Sequence, residues 1–170
     1  RGEIAMSFSK KVLDSVAQHH LTSLPTEYKW GKRRSTLVGV SCLMFVLPGI
    51  CVWPLCRKEA LLWFSCAVTS TASDYFYSGY RERPFDRMVH YCDKWLASVT
   101  LLWVIVSISM QTAGRDWNAL GVGVLLVVAS LYCLVHSRTA QTFEQRNLWH
   151  SLWHAVATCG RAGFVMAFGF

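Results

Sequence analysis

Charge is scarce in this chain. Of 170 residues, 16% are charged against 53% hydrophobic, and only ten are acidic. A soluble domain of this size carries more charge and shorter apolar runs. The composition therefore points to a single integral membrane bundle with no separate soluble domain. Paired cysteines are missing as well. The seven Cys at 42, 51, 56, 66, 92, 133 and 159 include no Cys-x-x-Cys, and their number is odd. That reads as small buried apolar side chains rather than a disulfide framework or thiolate metal site. No Rossmann or Walker glycine pattern occurs, so nucleotide chemistry has no foothold. No internal repeat and no low-complexity tract is visible. An initiator Met is absent, since residue 1 is Arg. A removed presequence, such as an organellar transit peptide, is one reading of that start, and a cloned boundary is another.

What is present is a series of five apolar stretches, at about 35–55, 60–77, 90–110, 117–135 and 148–170. Each is long enough, given some tilt, to cross a hydrocarbon core of about 30 Å at about 1.5 Å per residue. Eight Trp and six Tyr suit the headgroup level of a bilayer. The fold class expected is all-α: an integral membrane bundle of about five transmembrane helices over residues 35–170. Pro48 and Pro54 fall in the second half of the first stretch, and a kink is expected near Pro48. Residues 1–34 form a basic N-terminal segment. Phe8, Val12, Leu13, Val16 and Leu24 follow helical spacing there, and Pro25 ends the pattern. An interfacial amphipathic helix is expected, and a soluble partner-binding helix has the same pattern.

The net charge of +7 is distributed by loop. Seven Lys/Arg precede the first stretch. Arg81, Arg83 and Arg87 lie between the second and third, and Arg138 and Arg146 between the fourth and fifth. With five spans these regions share one side and hold twelve positive residues, against Arg57, Lys58 and Arg115 opposite. The positive-inside bias places the N-terminus on the cytoplasmic, stromal or matrix-like side. Basic loops of this kind favour topology control and anionic lipid contact. They do not form a nucleic-acid module, so no nucleic-acid partner is expected.

That topology, drawn from Lys and Arg alone, collects the ionisable groups. Ser70 and Asp74 share a helical face near the inner end of the second stretch. His90 and Asp93 open the third, His136 closes the fourth, and His150 and His154 open the fifth. Ionisable groups gathered at one membrane depth mark a functional-site candidate. His150 and His154, one turn apart, can present two imidazoles to one metal ion, with Asp74 or Asp93 as a third ligand. Asp93 is the candidate general base, and Ser70 would orient water or stabilise an oxyanion. No Glu follows His150, so this is not a His-Glu-x-x-His zincin pattern. Each residue also has a plainer role. The two His can sit in an interfacial belt with Trp149 and Trp153. Asp93 can pair with Lys94 or Arg87, Asp74 can cap a helix or pair with a loop Arg, and Ser70 can bond back to its own helix.

Ser70-x-x-x-Asp74, then Asp93, then Leu148-Trp149-His150-Ser151-Leu152-Trp153-His154 resembles the CREST membrane-hydrolase superfamily. Alkaline ceramidases, adiponectin/progestin-type receptors and GPI-lipid-remodelling proteins belong to that group. The likeness covers about residues 60 to 160. It implies a seven-helix bundle, a zinc ion held by three His, and hydrolysis of lipid amides or esters. Asp74 stands where the family has its first metal-binding His, and helices are fewer. The expectation is a shortened, degenerate relative with His150, His154 and Asp74 as metal ligands and Ser70 and Asp93 as catalytic groups.

Arg161 lies on the His154 face, near mid-bilayer. Unpaired, it would cost at least about 2.5–3.5 kcal/mol. An internal partner, a lipid phosphate or a partner subunit is expected to meet it. Three functions compete. The first is a metal-dependent lipid amidase or esterase. The second is a non-catalytic subunit of a larger membrane complex, such as an organellar energy-converting one. The third is a haem b anchor using His136 with His150 or His154.

Overall fold

Caps set the starts of several helices. The Ser35 hydroxyl accepts from the Val38 amide (3.3 Å), the Asp116 carboxylate from Ala119 (2.9 Å), and the Thr142 hydroxyl from Gln145 (3.2 Å). The computed structural model describes residues 28–112 and 116–169. They form α1 (Thr36–Leu43), α2 (Val46–Val52), α3 (Arg57–Thr71), α4 (Pro84–Thr112), α5 (Trp117–Thr139) and α6 (Phe143–Phe168). A π-helical turn, Ala72–Phe76, continues α3. No strand occurs among the described residues.

The all-α class stands, and the five helical segments (α1 with α2 counted as one) follow the five apolar stretches. Two of them, α4 with 29 residues and α5 with 23, are long and apolar enough to cross a membrane. The amphipathic helix expected before Pro25 lies outside the described residues. Residues 29–32, the nearest described part of that segment, are turns.

Pro48 does interrupt the first segment, one turn upstream of itself. A proline ring clashes with the carbonyl four residues earlier, here that of Met44. The helix breaks at Met44 and Phe45, whose amides bond Ser41 and Cys42 over three residues rather than four. Past the break, α2 lies tightly on α3. A Cβ on Gly49 would stand 2.5 Å from Phe64 Cε1, so only glycine allows this approach.

Packing is inside-out relative to a water-soluble bundle. His154, Glu59, Thr100, Thr112, Thr158 and Ser70 are among the largest fully buried side chains, while Leu125 and Met166 are 69% and 79% exposed. Buried hydroxyls satisfy themselves on their own helices: Thr112 donates to Ile108 O and Thr158 to His154 O, both at 2.7 Å. The apolar core is small, formed by Phe45, Trp63, Cys66, Ala67, Val104, Ile108, Ala119 and Phe164, with Phe45 stacked on Trp63. Small buried residues let helices approach closely.

Deep in that core Arg161 meets an internal partner. Its Nε and Nη2 donate to Glu59 Oε1 (2.7 Å) and Oε2 (3.0 Å), and Trp63 Nε1 adds a third donor at 3.2 Å. The fork supplies the internal partner that was one of the contacts the sequence allowed.

Candidate functional site

One α-helical register does not carry α3 through the site. The wide turn at Ala72–Phe76, closed by Tyr77 N to Ala72 O (2.8 Å), turns the residues after Thr71 about the axis. Such insertions recur at functional sites. Ser70 and Asp74 were expected to serve one face, but they meet different helices. Ser70 donates to Asp93 Oδ1 of α4 at 2.5 Å. Asp74 Oδ2 receives His150 Nε2 of α6 at 2.8 Å. Within the same turn, Ser73 bonds His90 Nδ1 at 2.7 Å, while His90 Nε2 reaches the carbonyls of Tyr77 and Tyr80, each at 3.1 Å.

His154 sits one turn beyond His150, the two rings 4.6 Å apart. It is completely buried, which removes it from any interfacial belt. Its Nδ1 lies 2.9 Å from Ser41 Oγ and 3.9 Å from Cys42 Sγ, both on α1. Its Nε2 has no hydrogen-bond partner and stands 4.0 Å from Asp74 Oδ2. That is too far for a hydrogen bond. Ligand atoms of Cys42, Asp74 and His154 all lie within 4.8 Å of one another.

Helix ends from α1, α3, α4 and α6 therefore bring Ser70, Asp74, Asp93, His150 and His154 into one polar cluster. Ser70 bonds Asp93 rather than its own helix, and Asp74 bonds His150 while also lying in the field of Arg146. His136 stays apart, its ring stacked on Trp149 at 4.7 Å, while His150 uses its Nδ1 on Ser137 (3.3 Å) and its Nε2 on Asp74.

Cys42 was not legible as a ligand. It is one of seven scattered cysteines, all free, and nothing around it in sequence sets it apart from Cys66 or Cys133, which are also buried. Ser41 and Ser73 likewise gain their roles from neighbours on other helices.

The donors present fit a metal ion. A carboxylate, a thiol and an orphaned buried imidazole nitrogen converge, and all three are ligand types that zinc accepts. His150, bonded to Asp74 at 2.8 Å, lies outside this trio, so the ligand set differs from the His150, His154 and Asp74 expected from the sequence.

A strap lies over one end of this cluster. Lys29 Nζ donates to Ala140 O (3.1 Å), Arg34 Nη2 to Phe76 O (3.1 Å), and Ser78 Oγ to Arg33 O (2.9 Å). Gly79, at φ 77°, lies against Gly31 so closely that a Cβ would stand 2.0 Å from Gly31 O. Tyr28 leads the strap. Burial raises its phenol from 10.0 to about 12, so it stays protonated at neutral pH.

Compared with protein-family models, curated proteins and solved structures, the chain matches none.

Proposed function

We propose that the chain is a multi-pass membrane hydrolase, metal-dependent and acting on a lipid amide or ester at the inner leaflet. The observation that carries this reading is the buried His154 Nε2, unpartnered and facing Asp74. An imidazole nitrogen in a dry interior ordinarily has a partner. The CREST-like order of Ser70, Asp74, Asp93, His150 and His154 supports it from the sequence side.

In this reading His154, Asp74 and Cys42 would hold the ion and leave a fourth position for water. The chemistry such an ion supplies when bound is polarisation of the acyl oxygen and activation of water near pH ~7. Asp93, fixed by the Ser70 hydroxyl, takes the proton of the attacking water and returns it to the leaving alcohol or amine as the acyl bond breaks. An apolar cleft of about 60 Å³ between α3, α4, α5 and α6 is lined by Cys66 and Thr100, among others. Cys66 lies one turn from Ser70 on α3, so the cleft offers room for a few methylene groups near the polar cluster.

The membrane part of the proposal takes α1 with α2, and each of α3 to α6, as spans, with the N-terminus inside. The inside-out packing and the loop charge bias support it. An organellar membrane fits the same bias.

Elemental analysis of the purified full chain tests the reading. About one equivalent of zinc is expected, lost on His154→Ala and reduced on Cys42→Ala, with both variants eluting like the parent. No stoichiometric metal in any preparation sinks it. A second reading, a non-catalytic subunit of a larger membrane complex, is favoured by one observation. Both nitrogens of His150, and Nδ1 of His154, are already engaged with α1, α3 and α5, as in a brace between helices. Metal-free protein that loses stability on His150→Ala, and that comigrates with other membrane subunits, would be its signature.

A further inference from the structure

Two hydrogen bonds decide which nitrogen of His154 carries a proton. A serine hydroxyl has one hydrogen to donate. That of Ser41 goes to its own helix, to Val38 O at 2.8 Å. The same oxygen lies 2.9 Å from His154 Nδ1, so it meets the ring as an acceptor and Nδ1 is the donor. In a neutral imidazole the other nitrogen is then bare. That nitrogen is Nε2, buried, without a hydrogen-bond partner and 4.0 Å from Asp74 Oδ2. The opposite tautomer and the doubly protonated ring fit worse. Each puts an N–H on Nε2 and leaves it without an acceptor in a fully buried place.

A bare lone pair aimed across 4.0 Å at a carboxylate oxygen suits a cation held between them. Zinc bonds to nitrogen and oxygen are each about 2.0–2.2 Å long, so one ion can touch both atoms. The gap is too wide for a direct hydrogen bond. Neighbouring rings hold the imidazole in place, with Phe45 and Trp153 at 4.8 Å and His150 at 4.6 Å between centroids. Ser41 also precedes Cys42, whose Sγ belongs to the converging trio. The last turn of α1 thus supplies one ligand and the partner of another.

We propose that Ser41 is a positioning residue of the metal centre: it accepts from His154 Nδ1, fixes that tautomer, and holds Nε2 as the nitrogen that takes a divalent cation. The cation rests on the metal-dependent reading above. The tautomer does not, and it can be read in metal-free protein. Hydrogen-bond partners that orient ligating imidazoles are worth about 10–100-fold in metal affinity.

The full chain, carrying isotope-labelled histidine in mild detergent and stripped with a chelator, is observed by nitrogen NMR. The His154 signals are those that vanish in His154→Ala. They are expected to show Nδ1 protonated and Nε2 bare. Ser41→Ala should mix the tautomers and weaken zinc binding, followed by competition with a chromophoric chelator, by about 10–100-fold. Ser41→Thr, which keeps the hydroxyl, should bring both readouts back towards the parent. Ser130→Ala removes another buried hydroxyl, one bonded to Leu126 O of its own helix at 2.8 Å, and should change neither. A proton on Nε2 in the parent overturns the proposal. So does zinc bound as tightly by Ser41→Ala as by the parent, a result that spares the metal reading. Equal weakening by Ser130→Ala and Ser41→Ala also overturns it, since general loosening of the bundle would then be the cause. A parent chain that takes up no zinc sinks the metal reading and the role of Nε2 with it, while the spectrum still decides the Ser41–His154 bond. Should Ser41→Ala not fold, Ser41→Cys, close in size but a weak acceptor, carries the same comparison.

Discussion

Replacing Arg161 by methionine isolates the deepest electrostatic feature of the bundle. The guanidinium and the Glu59 carboxylate are 5% and 1% exposed and share two hydrogen bonds. Without Arg161, Glu59 keeps one donor, Trp63 Nε1 at 3.2 Å. Breaking a buried pair on one side costs about 3–5 kcal/mol, because a buried charge is left uncompensated. At about 2–4 °C per kcal/mol for a chain of this size, the expected loss in unfolding temperature is about 6–20 °C. The double variant Glu59→Gln/Arg161→Met removes both charges, and the amide can still accept from Trp63. Its cost should fall below that of Arg161→Met alone, giving a coupling of about 2 kcal/mol or more in a double-mutant cycle. Thermal unfolding in one detergent, followed by near-ultraviolet circular dichroism of the tryptophans, measures all four corners. Single variants within about 1 kcal/mol of the parent, or strictly additive losses, would refute a buried pair at this position.

Two further predictions follow from single residues. Tyr28 holds its proton to about pH 12 in the fold but loses it near 10 when exposed. The folded state therefore binds more protons over that window, and stability should fall by about 3 kcal/mol between those pH values, then level off. Tyr28→Phe should flatten that decline in pH-dependent denaturation, and an unchanged slope would show the phenol to be exposed. Gly49→Ala should destabilise by about 1–3 kcal/mol through contact with Phe64. At Gly121 a Cβ meets nothing within 4 Å, so Gly121→Ala should be neutral or up to about 1 kcal/mol stabilising. Melting temperatures of the two variants, measured side by side, check the contrast.

Apolar runs separated by loops determined the helices, because hydrophobic length and spacing are local properties of the chain. Their ends lie within six residues of the stretches read from sequence, and Pro48 marked the break in the first segment. The gathering of Ser70, Asp74, Asp93, His150 and His154 was also legible, since loop charge assigned each helix end to one side. Partner choice was not legible. Ser70 on Asp93, Asp74 on His150, and Cys42 beside His154 depend on how helices rotate against one another, and the π turn after Thr71 alters that rotation locally. Arg161 demanded a partner on energetic grounds alone, but Glu59 stands 102 positions away in sequence. Only the tertiary arrangement that sets α3 within side-chain reach of α6 could bring that carboxylate to it, because side-chain pairing across helices leaves no periodicity in the chain.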